Sequence, residues 1–172
     1  MKITKELLKE KGACADGYRD FLKEYPVDKY PDGVEYQELL DCCAEKNFSY
    51  GSWLLGAFGK TDEIRKIDGD LIVEKGIIFA GRLEVKGCIE AGCGIEAGWG
   101  IKADGDIEAG YNIKAGCGIE AGEGIEVGDE FGIYAGLCCR VTNKTLRKII
   151  AKERPENIMC GEFEEKSDSE GK

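Results

Sequence analysis

The chain has 172 residues, no histidine and a formal net charge of −10. Such an acidic surface repels phosphates and argues against direct nucleic-acid binding. The lack of histidine excludes enzymes that depend on an imidazole base or metal ligand. No apolar run approaches the ~20 residues that a membrane span needs, and the first residues are not expected to form a signal peptide. Nine cysteines without a Cys-x-x-Cys motif predict free thiols in a reducing cytoplasm.

Residues 1–58 are predicted to form a small helical domain. Apolar periodicity, together with capping and helix-ending residues, predicts helices over residues 5–10, 14–25 and 35–46. Aromatic and aliphatic residues between 48 and 58 are expected to complete the core. Because a domain of fewer than ~60 residues buries little surface, we expect it to pack on the first coil of the next segment. Residues 59–70 are predicted to be a linker and the entry to that segment.

A six-residue repeat dominates residues 71–136. An aliphatic residue returns every six positions from Leu71 to Ile125, and the consensus is Ile-Glu-Ala-Gly-x-Gly. Ile and Ala share one face of a short strand, while Gly-x-Gly suits a tight corner. One repeat cannot bury its own apolar side chains, so repeats must stack. The sequence therefore predicts a mainly β protein with α caps, whose body is a single-stranded hexapeptide-repeat β-helix.

The charged second position of each hexad favours three sides over two. In a three-sided coil, residues eighteen apart stack, which places Lys102 between Glu84 and Glu120 and pairs Glu96 with Lys114. A two-sided coil would instead stack like charges, which is unfavourable by up to ~1 kcal/mol per pair. The handedness of the coil remains open at this level.

Residues 137–172 are predicted to form a C-terminal cap with an acidic tail. The period breaks after Gly128, as is typical of a terminal repeat, whose open strands must be covered. Thr142 is placed to cap a basic helix over 143–154, and residues 157–163 suggest an edge strand, followed by a tail over 164–172. The cationic side chains of 140–154 are interpreted as a solvated helix face in preference to a nucleic-acid contact.

The candidate binding residues are all on the solenoid. In the three-sided register Glu90, Glu108 and Glu126 stack eighteen residues apart and form an acidic row that contains no lysine. The variable fifth position of the hexad carries two large aromatics, Trp99 and Tyr111, which are candidate interface anchors. Asp104 and Asp106 flank a corner where calcium is conceivable, although solvated turn aspartates are the stronger interpretation. No catalytic, cofactor-binding or metal-ligating residue is predicted.

Two family resemblances accompany these patterns. The hexads resemble those of hexapeptide acyltransferases and β-helical carbonic anhydrases, but this chain lacks the histidines that those chemistries use. Residues 13–21 and 52–55, together with the Ile-x-Ala-Gly-x-Gly run, resemble a short helical module beside repeats in uncharacterised phage and prophage proteins. That resemblance implies a mobile-element context and brings no activity.

Two functions are compatible with the sequence. The first is a non-enzymatic protein-binding module, such as a phage-encoded inhibitor of anti-defence or anti-CRISPR type. It would mimic nucleic acid and occupy the basic groove of a nuclease or other nucleic-acid-binding protein in the bacterial cytoplasm, as a monomer or closed dimer. The alternative is a structural, self-assembling β-helix protein of a phage or a cytoskeleton.

Overall fold

The N-terminal domain has a two-stranded antiparallel sheet and four helices. The computed structural model describes residues 1–167. In the N-terminal domain it places β1 (Lys2–Ile3), α1 (Lys5–Glu10), α2 (Ala15–Glu24), β2 (Val34–Glu35), α3 (Tyr36–Glu45) and α4 (Gly51–Phe58). The three predicted helices are confirmed as α1 to α3. The sequence pattern does not predict α4, because Gly51 and Gly56 weaken helix propensity; burial of Leu54 in the domain core stabilises it.

The rest of the described chain is a solenoid of short strands. In chain order these are β3 (Ile64–Ile67), β4 (Leu71–Val73), β5 (Ile77–Phe79), β6 (Arg82–Val85), β7 (Ile89–Ala91), β8 (Ile95–Ala97), β9 (Ile101–Ala103), β10 (Ile107–Ala109), β11 (Ile113–Ala115), β12 (Ile119–Glu120), β13 (Ile125–Val127), β14 (Ile133–Ala135), β15 (Lys148–Ala151), β16 (Ile158–Cys160) and β17 (Glu162–Glu165). In the regular coils, corners of three residues join successive strands. This architecture agrees with the hexad prediction.

The strands form three parallel sheets, one on each side of the coil. Strands pair with strands one coil away, so that Ile107 faces Ile89 on one side and Ile125 on the other. We name the sheets by their outer surfaces. The acidic sheet contains β4, β7, β10 and β13, the helix-side sheet contains β5, β8, β11, β14 and β16, and the salt-bridge sheet contains β3, β6, β9, β12, β15 and β17. The predicted three-sided β-helix is confirmed.

The core of the solenoid is built from the first and third residue of each strand. The isoleucines that begin successive strands are stacked and almost fully buried; Ile89, Ile107 and Ile113 are 0% exposed. Alanine at the third position leaves room for the three isoleucines of a coil to meet. Each buried isoleucine contributes about 1.5–3 kcal/mol of apolar transfer free energy, which makes this stack the main source of stability.

An aromatic side chain lies at each end of this core. In the first coil Phe79 occupies the position that alanine takes in the next coil, and the Arg65 guanidinium carbon lies 4.5 Å from its ring centroid. At the other end Phe163 packs against the core, with the Arg154 guanidinium carbon 5.7 Å from its ring centroid. Larger side chains suit these positions because no further coil of residues 1–167 packs against either end.

The predicted charge ladders are present. Lys102 is in register with Glu84 and with Glu120, and its Nζ is 3.1 Å from a carboxylate oxygen of Glu120. Lys114 is in register with Glu96 on the helix-side sheet. Opposite charges therefore alternate around Lys102 on the salt-bridge sheet and form one pair, Glu96 with Lys114, on the helix-side sheet, as the three-sided register predicts.

The solenoid extends beyond the predicted range of 71–136 on both sides. β3 lies within the predicted linker over 59–70 and pairs with β6, residue Ile64 facing Arg82. Within the predicted cap over 137–172, strands β15 to β17 continue two of the sheets. Among the described residues the acidic sheet ends at β13.

The predicted basic helix over 143–154 is wrong. Residues Lys144–Arg147 form one turn of 3-10 helix, which Thr142 does not begin, and β15 follows directly. Ile149 faces Ile119 and is 0% exposed, so it completes the isoleucine stack of the salt-bridge sheet. Ile149-Ile150-Ala151 is a hexad-type strand whose spacing is hidden by the long connection over 136–147. Burial of Ile149 in an existing stack outweighs the weak helical pattern.

The predicted edge strand over 157–163 is present as two strands, β16 and β17, separated by Gly161 at a φ of +125°. β16 pairs with β14 through a register shift, and β17 pairs with β15. The first residues of the predicted tail over 164–172 therefore belong to β17. Residues 168–172 lie outside the described part of the chain.

The helical domain packs on the helix-side sheet, as expected for so small a domain. The Gln37 side chain of α3 donates from Nε2 to the carbonyl of Ile78 at 2.7 Å and accepts at Oε1 from the N–H of Ala80 at 3.0 Å. One amide side chain thus satisfies backbone groups at the free edge of β5, where a further strand would otherwise pair. No helix among residues 1–167 is long and apolar enough to span a membrane.

Candidate interaction surface

Glu90, Glu108 and Glu126 form a continuous row on the outer face of the acidic sheet. The three residues occupy the same position in β7, β10 and β13, and each is in register with the next. All three side chains are exposed, and none forms an ion pair with any residue of the described chain. Because neighbouring strands are ~4.8 Å apart, the row presents three carboxylates over about 10 Å.

The local sequence holds this row in position. Because the Ile and Ala side chains of each strand point into the core, the side chain of the glutamate between them points outward. The corner that follows each strand brings backbones of adjacent coils close together; a Cβ on Gly110 would lie 2.3 Å from the carbonyl oxygen of Gly92. Glycine at this corner therefore permits the close stacking that keeps Glu90 and Glu108 in register.

The row has an electrostatic cost. The pKa of Glu108, its central member, is raised from the usual value for a glutamate, first by partial burial and then by the charges of Glu90, Glu126 and Asp106. A raised carboxyl pKa means that the folded protein disfavours the charged form. Glu108 faces a like charge on both sides, whereas Lys102 on the salt-bridge sheet faces opposite charges on both sides.

Asp104 and Asp106 lie at the corner that leads into β10, along one border of the acidic sheet. Asp104 is exposed. Asp106 Oδ1 accepts a hydrogen bond from the N–H of Gly124 at 2.8 Å, and Asp70 Oδ1 does the same for the N–H of Cys88. Asp106 therefore has a structural role, because its carboxylate accepts a hydrogen bond from a backbone N–H of the next coil. The described chain contains no group of three or more ligands arranged to hold a metal ion.

Tyr111 lies on the opposite border of the acidic sheet, at the corner after β10. Its ring packs against Phe131 with centroids 4.7 Å apart, and the tyrosine remains 41% exposed. The hexad pattern does not identify Phe131, because this residue belongs to the two-residue insertion before β14. The pair forms a partly exposed aromatic platform beside the row.

Trp99 is separated from the other candidates. It lies at the corner between the helix-side and salt-bridge sheets, which is the corner opposite the acidic sheet. The Lys60 ammonium lies 3.0 Å from the centroid of its ring, and the side chain is half-buried. The structure thus brings six of the seven candidate residues to one face and its borders, and places Trp99 elsewhere. Trp99 and Tyr111 are twelve residues apart, which is two of the three sides of an eighteen-residue coil, so they lie at different corners.

Three of the six cationic side chains of residues 140–154 form ion pairs with acidic neighbours. Lys144 lies 3.5 Å from a Glu162 carboxylate oxygen, Lys148 pairs with Glu164, and Lys152 pairs with Glu123 at 2.6 Å. The first two contacts reach β17, and the third reaches the corner after β12. The predicted helix face is therefore replaced by a connection and a strand, from which three lysines form ion pairs.

The helix-side sheet has a polar contact that sequence reasoning does not identify. Ser52 Oγ donates to a Glu96 carboxylate oxygen at 2.7 Å and accepts from Lys114 Nζ at 3.2 Å. The helical domain therefore occupies part of the outer face of this sheet, whereas the acidic sheet has no such covering in the described chain. The acidic sheet therefore remains open to a large partner.

No protein-family model matches the chain, and neither a curated protein nor a solved structure is significantly similar to it.

Proposed function

We propose that this chain is a non-enzymatic protein-binding module whose acidic sheet occupies the basic groove of a nucleic-acid-binding protein or nuclease. In this proposal it is a phage-encoded inhibitor that acts in the bacterial cytoplasm as a monomer or closed dimer. Glu90, Glu108 and Glu126 take the place of backbone phosphates, and nucleic acid is excluded from the groove. The groove itself supplies the lysine and arginine side chains.

The observation that carries the proposal is the unbalanced row on an uncovered sheet. The fold does not need it, because the other two sheets use the same kind of strand and the same core with opposite charges in register at Lys102 and at Lys114. A lysine at position 108 would relieve two repulsive pairs, each worth roughly 0.2–1 kcal/mol before solvent screening. Retention of an unfavourable surface arrangement is typical of residues kept for binding.

The geometry of the row suits a phosphate mimic. Its carboxylates repeat every ~4.8 Å on a rigid support, a spacing of the same order as the ~3.4 Å axial rise per phosphate on one DNA strand. Asp104 extends the negative surface at one border, and Tyr111 with Phe131 offers an aromatic contact at the other. A rigid charged surface of this kind speeds and orients association with a basic partner.

A salt-dependent pull-down tests the proposal. Tagged protein is incubated with nuclease-treated bacterial lysate over a salt series, and captured proteins are identified by mass spectrometry. The expected partner is a nucleic-acid-binding protein whose capture weakens as salt rises and which loses nucleic acid when this chain is added. Capture of partners without a basic groove, or capture that is independent of salt, would contradict the proposal.

A matched pair of triple variants then tests the row itself. Glu90→Lys/Glu108→Lys/Glu126→Lys reverses the row and should lower affinity for the captured partner by at least ~100-fold, because like charges would meet across the interface. The control is Glu10→Lys/Asp28→Lys/Glu45→Lys, which changes net charge equally at exposed positions of the helical domain. Equal losses in both variants would mean that only overall charge matters.

Self-assembly is the second candidate, and the open N-terminal end of the solenoid favours it. β3 and β4 are the end strands of their sheets, and each carries an exposed aliphatic side chain, Ile64 at 52% and Ile72 at 63% exposure. Free strand edges can pair with another chain. Solution mass measured over a range of concentrations separates the candidates: a ladder of species supports assembly, and a constant monomer or dimer supports the binding module.

A further inference from the structure

Two cysteine sulfurs meet at the corner opposite the acidic sheet. Cys117 Sγ and Cys139 Sγ are 3.3 Å apart, and the two residues are separated by 22 positions in the chain. Cys117 lies at the corner after β11, while Cys139 lies in the long connection over 136–147. All nine cysteines fall within residues 1–167, and this is the sulfur–sulfur contact formed there.

The two thiols differ in access. Cys117 is 6% exposed, whereas Cys139 is half-buried, and both residues line a cavity of about 480 Å³ that opens at this corner. Lys60, Trp99 and Arg140 also line the cavity, so a small oxidant can reach the Cys139 sulfur past a cationic rim. Burial and the neighbouring Cys139 raise the pKa of Cys117 to about 11. Cys117 therefore stays a thiol at neutral pH and is the less reactive partner.

The backbone already holds the two residues in place. The N–H of Gly136 donates to the carbonyl of Cys117 at 2.8 Å, and the N–H of Cys138 donates to the carbonyl of Gly116 at 2.8 Å. Cys139 Sγ also donates to the carbonyl of Gly116 at 3.3 Å. These contacts fix the start of the connection against the corner, so only a small closure of the side chains separates the thiol pair from a disulfide.

We propose that Cys117 and Cys139 form an oxidation site, which closes to an intramolecular disulfide on exposure to a peroxide. The Cys139 thiolate attacks a peroxide oxygen; the O–O bond breaks, giving a sulfenic acid and, with a solvent proton, water. Cys117 then loses its proton to solvent and attacks the sulfenic sulfur; the S–O bond breaks and a second water leaves. Two thiols are oxidised and one peroxide is reduced to two waters.

The disulfide joins the connection over 136–147 to the body of the solenoid. It closes a loop of about 22 residues, which removes conformational freedom from the unfolded chain. The expected effect is a rise of about 5–10 °C in the thermal midpoint, reversed by a dithiol reductant. Because Cys117 must lose its proton, bridge formation is expected to be faster at pH 9 than at pH 7.

Peptide mapping after oxidation tests the site. Full-length protein is treated with hydrogen peroxide, free thiols are blocked with an alkylating reagent, and the chain is cleaved after glutamate. Cleavage after glutamate places Cys117 in peptide 109–120 and both Cys138 and Cys139 in peptide 131–153, so a bridge links two peptides. Cleavage after lysine and arginine would leave all three cysteines on one peptide and is less informative.

Single variants identify the bonded sulfur. The linked peptides are expected in the unmodified protein and in Cys138→Ser, and they are expected to be lost in Cys139→Ser. The neighbouring Cys138 serves as the matched control, since it is more exposed and adjacent in the chain. Linkage that persists in Cys139→Ser, linkage only between different molecules, or conversion of these cysteines to sulfinic and sulfonic acids without a bridge would each overturn the proposal.

Discussion

The acidic sheet and the salt-bridge sheet have the same interior but opposite outer surfaces. Ile107 in one and Ile101 in the other begin equivalent strands and are almost completely buried. On the outside, Glu108 is stacked between two glutamates, while Lys102 is stacked between two glutamates of opposite charge to its own. The core therefore specifies the coil, whereas the charge of the outward-facing residue can be positive or negative without changing the coil. The acidic row is therefore a property that the fold permits and does not require.

The largest expected effect comes from placing a charge in the shared interior. Ile107→Asp loses a buried isoleucine and leaves an unpaired carboxylate in the core, a combination that should cost more than ~4 kcal/mol and unfold much of the solenoid. Circular dichroism and denaturant unfolding measure the loss. The control is Ile64→Asp on the outer face, where the side chain is 52% exposed and in register with Arg82, and the change should be below ~0.5 kcal/mol. Equal effects at the two positions would contradict the assignment of inner and outer faces.

A smaller effect is expected from converting the salt-bridge sheet into a copy of the acidic sheet. Lys102→Glu replaces two attractive cross-strand pairs with two repulsive ones. With allowance for the solvent exposure of these side chains, it should lower the free energy of unfolding by about 1 kcal/mol. Thermal unfolding should then begin about 2–4 °C lower. Lys29→Glu, an exposed loop substitution with the same charge change, controls for net charge. A midpoint for Lys102→Glu equal to that of the control would show that the ladder contributes nothing.

The smallest effect has the opposite sign. Glu108→Gln removes repulsion from the middle of the acidic row and should raise stability at pH 7 by about 0.5 kcal/mol. The pKa of Glu108 is raised in the folded protein, so protonation of this carboxyl favours folding. The stability that it contributes is present below its unfolded pKa and is lost as pH rises through the raised folded value.

Denaturant titrations of both proteins from pH 7 to pH 4 measure this difference. The advantage of Glu108→Gln should be full at neutral pH and should shrink as pH falls through the raised pKa and below the usual value of 4.5. Asp28→Asn, at an exposed loop position, is the matched control. A difference that does not change with pH would attribute the stabilisation to packing instead of charge.

The repeat is enough to predict the body of the molecule. Few folds can bury the apolar residues of a six-residue repeat that runs from Leu71 to Ile125, because every Ile-x-Ala strand needs an equivalent strand one coil away. The positive charges of Lys102 and Lys114 then favour a three-sided coil over a two-sided one, because each lysine faces a glutamate in the three-sided register. The helices α1 to α3 follow from local caps and apolar periodicity. The acidic row was predictable for the same reason: its members occupy one position of a regular repeat.

The construction of the two ends of the solenoid and the surroundings of the acidic row depend on tertiary contacts that the sequence pattern does not reveal. Ile149 forms a strand because a stack of isoleucines is already there to bury it, which no local pattern reveals across the connection over 136–147. Gln37 forms hydrogen bonds with backbone groups at the edge of β5, about 41 residues away in the chain. Phe131, which belongs to an insertion, packs against Tyr111. Trp99 lies at another corner from Tyr111 because the angular position depends on the eighteen-residue coil. These features depend on contacts between distant segments, whereas the repeat depends on a pattern that each hexad carries in itself.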